Sequence, residues 1–178
     1  MKHMDIDQKF KYADERDKCY GLAGIAISLN VWDGHQAIRQ ITIDGPESIS
    51  FAPEAEVYTN PRMSAKIVWN DQLRQYQLLM GMALSNLMSR AIVLRHKQIG
   101  SDLRDRFFAI ADADGQAYCA LEHDETEMIF NKTYQYLNSL YSNSQVINAV
   151  RQFAETLQSR RTMSAAEVEE ELARCLRH

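Results

Sequence analysis

The chain lacks the short patterns that announce chemistry. It has no G-x-G-x-x-G and no G-x-x-x-x-G-K-[S/T], so a glycine-rich phosphate cradle has no basis in it. It has no G-x-S-x-G elbow for a serine nucleophile. No histidine pair stands at H-E-x-x-H spacing, and no other ligand pair has zinc-like spacing, so neither a metal nor a cofactor is expected. Cysteine is scarce: Cys19, Cys119 and Cys175 are far apart and odd in number. Such a set fits reduced thiols in a cytoplasm and not a disulfide framework. There is no charge excess either. A net charge of −4 gives no basic footprint of the kind a dedicated nucleic-acid binder carries. The opening segment has no apolar h-region, and no repeat or low-complexity run occurs. With 178 residues the chain has enough length to bury a sizeable core as one domain.

What is present is a dominant apolar stretch, NPRMSAKIVWNDQLRQYQLLMGMALSNLMSRAIVLRHK, from Asn60 to Lys97. Asn60 is suited to an N-cap and Pro61 to the first helical position. Leu73, Tyr76, Met80, Leu84, Leu87, Ala91 and Leu94 recur at steps of three and four. Leu78, Leu79, Met82, Met88 and Ile92 widen that stripe, which predicts a long central helix buried on several sides. The uncharged run between Arg74 and Arg90 contains Gln75, Gln77, Ser85, Asn86 and Ser89, too short and polar for a membrane span. Gly81, Ser85 and Ser89 form a small-residue ridge. It predicts a close helix–helix contact, within the subunit or across a two-fold axis.

Residues 1–17 are dense in charge and read as a mobile arm or a frayed helix, leaving 18–178 as a single α+β domain. After Tyr20 the period is two: Ile25, Ile27, Leu29 and Val31 alternate with Ala26, Ser28 and Asn30, which predicts a half-buried strand. Asp33-Gly34 is a hairpin signal. A loop Asp33-Gly34-His35 places Ile25 opposite Ile43 and Ile27 opposite Ile41, keeping apolar residues on one face. A second turn at Asp44-Gly45-Pro46 brings Ile49 and Phe51 to meet Ile43 and Ile41. The expected fold is therefore an N-terminal three-stranded antiparallel meander over 18–52, packed on the central helix, then a helical body over 60–178.

Beyond Lys97 helices are expected throughout. Gly100 stops the long helix and Ser101 caps the next, which Asp114-Gly115 ends. Asp124 with Glu127 reads as a capping box opening a helix to about Ser142. Ser142-Asn143-Ser144 is a break before an amphipathic helix through Val146, Val150, Phe153 and Leu157. Ser164 with Glu167 is a second capping box, before a last helix through Val168, Leu172 and Leu176.

Each candidate site has a plain structural reading. Glu122, His123, Asp124, Glu125 and Glu127 are potential ligands but also suit a helix N-terminus. Cys119 near His123 is no dyad by sequence proximity alone. Arg90, Arg95, His96, Lys97, Arg104 and Arg106 gather around the first helix break. Arg160 and Arg161 precede the last helix and are the nucleic-acid candidates. The Glu167, Glu169, Glu170 and Glu171 that follow would repel phosphates. Tyr136 falls off the apolar face of its helix and is an interface candidate beside Gly81, Ser85 and Ser89.

The segments YGLAGIAISLNVWDG, NPRMSAKIVWNDQLRQYQLLMGMALSNLMSR and FNKTYQYLNSLYS resemble a small family of uncharacterised bacterial proteins from the Bacteroidetes. The resemblance implies no activity, cofactor or catalytic residue. The function expected is a non-enzymatic cytoplasmic interaction or structural protein that associates with itself. Two alternatives stand beside it: a nucleic-acid-associated regulator using Arg160 and Arg161, and an enzyme whose site the sequence does not display.

Overall fold

A computed structural model describes residues 11–45, 47–52 and 64–176. Among these are six α-helices and a three-stranded antiparallel sheet, an α+β fold that is mostly helix. In chain order they are α1 (Glu15–Val31), β1 (Ile38–Thr42), β2 (Ile49–Phe51), α2 (Ala65–Met88), α3 (Ser101–Cys119), α4 (His123–Leu140), α5 (Ser144–Arg160), β3 (Thr162–Ser164) and α6 (Ala165–Leu176). A 3₁₀ turn, His35–Ala37, precedes β1, and a π-helical segment, Ser89–Leu94, extends α2.

The element at the centre is α1, where a strand and part of an arm were expected. Asp14 caps it by accepting the Asp17 N–H at 2.8 Å. Its residues Leu22 to Leu29 are buried without interruption, Ala26 and Ser28 as fully as Ile25 and Ile27. The period of two was therefore an alternation of large with small residues and not of inside with outside. A helix enclosed on every side shows no polar face, and α1 touches α2, the π segment, α5 and α6. Ser28 is tolerated there because its hydroxyl donates to the Ile25 carbonyl. Asp33-Gly34 is this helix's stop signal and not a hairpin: Asp33 takes φ 55° and the Gly34 N–H returns to the Leu29 carbonyl at 2.7 Å. The arm boundary moves with it, because Asp17 is only 1% exposed and belongs to the core. Residues 1–10 lie outside the described set.

The sheet takes its third strand from the far end of the chain. The order is β2-β1-β3, with β1 antiparallel to both neighbours. Ile41 faces Ile49 on one side and Met163 on the other. Phe51 pairs with Ile38, two to three positions away from the expected register. An irregularity between Ile38 and Gln40 re-aims the strand, so that Ile38 and Ile41 both point inward although three residues apart. Ile25, Ile27, Ile41 and Ile43 are buried as expected, the first pair on a helix, while Ile49 and Phe51 are half-buried.

The long central helix is present as α2. Its observed N-cap is Ser64, whose side chain accepts from Ile67 N–H; Asn60 and Pro61 lie outside the described residues. By length and composition Ala65–Leu94 could cross a bilayer, against the sequence reading, but 67% of its most apolar window is buried inside the chain. Gly115 does not end α3. It sits within that helix because a Cβ there would stand 2.9 Å from Thr126 Oγ1 and 3.2 Å from the Tyr76 hydroxyl. Gly100, not Ser101, occupies the N-cap of α3. The box opening α4 lies two residues earlier than expected, with the Glu122 N–H donating to the Glu125 carboxylate at 2.9 Å. Asn143 caps α5. At α6 Glu167 accepts from both the backbone N–H and the hydroxyl of Ser164, the expected box.

Candidate functional site

The ridge on α2 lies against α1 within the chain. Ser85 donates to the Gly24 carbonyl at 2.7 Å and meets the Tyr141 hydroxyl at 2.5 Å. Ser89 donates to the Tyr20 carbonyl at 2.8 Å. Glycines on α1 allow this approach: a Cβ on Gly24 would stand 2.8 Å from the Ser85 carbonyl, and one on Gly21 2.7 Å from Asn86 Nδ2. The seam is closed at its far end by Trp32, which stands over Gly81. Gly81, Ser85 and Ser89 are thus spent on an internal contact. Tyr136 is 45% exposed, with its ring 6.3 Å from that of Trp32.

The most concentrated charge lies at the other end of the seam. Asp17 accepts from Arg90 at 2.5 Å and from Arg95 at 2.8 Å, with side chains of Asp17 and Arg90 only 1% and 6% exposed. The π segment makes this possible. Its i→i+5 closure, Arg95 N–H to the Arg90 carbonyl, brings two arginines five residues apart onto one carboxylate. Residues 11–14 lie over the pair: Arg90 donates to the Lys11 carbonyl, its guanidinium covers the Tyr12 ring at 4.8 Å, and Asn86 donates to the Tyr12 hydroxyl. Burial alone would raise the Asp17 pKa. The Arg90 hydrogen bond, the Ala13 N–H and both positive charges outweigh it and hold the carboxyl below its usual range. The cluster ties the start of α1 to the end of α2.

Other candidates are equally occupied. His123 Nδ1 lies 2.9 Å from Asp112 Oδ2, with the ring edge-on to Phe108. The Asp112 hydrogen bond and charge raise the His123 pKa. No group of three metal-ligating side chains occurs among the described residues. Burial pushes the Cys19 thiol up to about 11 and Cys175 up to about 12, and raises Cys119 as well, away from nucleophilic thiolate. Arg161 holds Asp44 and Glu15, and Arg160 holds Glu167, so phosphate contact would break ion pairs already made. Arg104 donates to Asn131 and covers the Tyr134 ring. A groove of about 240 Å³ between α5 and α6 is lined by Thr156, Arg160, Glu167, Glu170, Glu171 and Arg174. Glu171 is saturated there by Arg174, Thr156 and Cys175.

Among the described residues, large apolar side chains stand exposed on the first half of α2, as Met128 and Tyr136 do on α4. Ile67 is 47% exposed and Trp69 43%. The Trp69 ring is fixed, since its Nε1–H donates to the Cys119 carbonyl at 2.9 Å, beside Tyr118, also 43% exposed. Asp71 is half-buried and Arg74 exposed, and neither enters an ion pair among the described residues. The sequence marked the start of α2 only as helix. Its exposure follows from where α1 stops, which periodicity within α2 does not encode. Comparison of the chain with family models, curated proteins and solved structures finds no match in any of the three.

Proposed function

We propose that the chain is a non-enzymatic interaction or structural protein of the cytoplasm that associates with copies of itself. The observation that carries this reading is the pair Ile67 and Trp69 on the open half of α2. Two large apolar side chains stand in water there, one of them locked in place by a hydrogen bond. Rigid aromatic side chains are favoured at protein interfaces because little entropy remains to be lost on contact. The groups that could perform chemistry are, by contrast, engaged within the fold: buried thiols, a saturated carboxylate on α6, and arginines on carboxylates. Three unpaired, buried cysteines suit a reducing compartment.

Light scattering on the purified chain across a hundredfold concentration range tests the reading. The expected result is a mass that rises above the 20.5 kDa of one chain as concentration increases. A mass fixed at 20.5 kDa throughout overturns self-association.

A further inference from the structure

We infer that the contact between copies is an antiparallel pairing of the first half of α2 with itself across a two-fold axis. The inference rests on the self-association proposed above and gives a geometry for the Ile67 side of α2; Trp69, two residues on, lies on another face of the helix and is not part of it. Downstream of Gly81, the ridge of α2 that includes Ser85 and Ser89 is covered by α1. Upstream, the same ridge continues at helical steps of three and four through Leu78, Arg74, Asp71 and Ile67. There α1 has ended at Val31 and does not cover the ridge; Ile67 and Arg74 are exposed, while Asp71 and Leu78 are half-buried. The α2 helix of a second copy can extend the seam there.

The order of residues on the open strip specifies that helix. A two-fold axis requires that if one residue meets another, the second meets the first. With the axis passing midway between Asp71 and Arg74, Asp71 of one copy meets Arg74 of the other, and Ile67 meets Leu78, each twice. Every facing pair is then favourable: two opposite-charge pairs at the centre and two apolar pairs at the ends. A parallel pairing in register would put Arg74 on Arg74 and Asp71 on Asp71. The charges therefore select the antiparallel arrangement as well as allowing it. The strip from Ile67 to Leu78 is about 17 Å long at the helical rise, which belongs to the small, transient class of interfaces.

Charge reversal with mixing tests this directly. Arg74→Asp places carboxylate on carboxylate at both central positions, and Asp71→Arg places guanidinium on guanidinium. Each variant alone is expected to dissociate about tenfold more readily than wild type. An equimolar mixture restores both opposite-charge pairs between unlike chains and is expected to associate as wild type does. Arg74 is exposed and Asp71 half-buried, and neither holds an ion pair among the described residues, so melting temperatures of the separated chains should stay close to wild type. If wild type associates but Arg74→Asp does not weaken it, or if the mixture stays as weak as its components, this pairing is overturned and self-association through another surface stands. If wild type is monomeric, both fall.

Discussion

At the scale of single residues, the fold turns on glycines that face another chain segment at less than side-chain distance. Gly24 and Gly81 lie on opposite sides of the same seam but are boxed in differently. A Cβ on Gly24 would meet the Ser85 carbonyl, which is backbone, and the buried Ser89 side chain. A Cβ on Gly81 would meet only the ring of Trp32, 2.5 Å away, a half-buried side chain at the end of α1. Backbone cannot swing aside, whereas a ring near the surface can. Gly24→Ala is therefore expected to destabilise by about 1–3 kcal/mol through overpacking. Gly81→Ala should cost clearly less, because the Trp32 ring can give way where backbone cannot; the helix-propensity gain of about 0.8–1.0 kcal/mol applies to both positions alike. Chemical denaturation of the two variants side by side checks the order. Equal losses would mean that Trp32 is held as firmly as the helix backbone.

At the scale of elements, the sheet is a small one that ties the two ends of the chain together. Three-residue strands such as β2 and β3 carry few ladder bonds of their own. They persist because each lays an apolar side chain beside Ile41, and because α6 packs across β1. Met163 is the sole buried residue of β3 and is fully enclosed. Met163→Ala should cost about 2–5 kcal/mol, the range for removing a large apolar side chain from a core. The loss should be accompanied by faster amide exchange at Ile43, just past β1, whose N–H donates to the Arg161 carbonyl on the β3 side. A loss below about 0.5 kcal/mol, typical of surface changes, would show that β3 is not part of the cooperative core.

At the scale of the whole molecule, one buried carboxylate links two regions 73 residues apart in sequence. Asp17 joins residues 11–14, the first turns of α1 and the π segment after α2. Its pKa is lowered in the folded state, so the sign of the linkage follows. The stability it contributes is complete above the ordinary carboxylate value of about 3.9 and is lost as pH falls through the lowered folded value. Removing the charge leaves Arg90 buried without its counter-ion. Asp17→Asn is expected to destabilise by about 3–5 kcal/mol at neutral pH, and to flatten the decline of stability in acid. Melting temperature against pH for both proteins checks this. An unchanged acid limb in Asp17→Asn would show that other carboxylates govern acid unfolding.

The sequence by itself determined the local features. Caps and breaks at Asn143, and at Ser164 with Glu167, were legible because an N-cap is a contact between residues two or three apart. The central helix was legible because its apolar steps of three and four run unbroken from Leu73 to Leu87. Only the tertiary structure decided the rest. Whether 25–31 is strand or helix depends on what surrounds it: when every side is buried, period reports residue size and not exposure. The third strand, 162–164, has three residues and exists only because β1 lies alongside. The pairing of Asp17 with Arg90 joins groups 73 residues apart, and no local pattern records it. The open strip on α2 is of the same kind. Its residues are in the sequence, but that Ile67 and Arg74 stand exposed depends on where another helix, α1, ends at Val31.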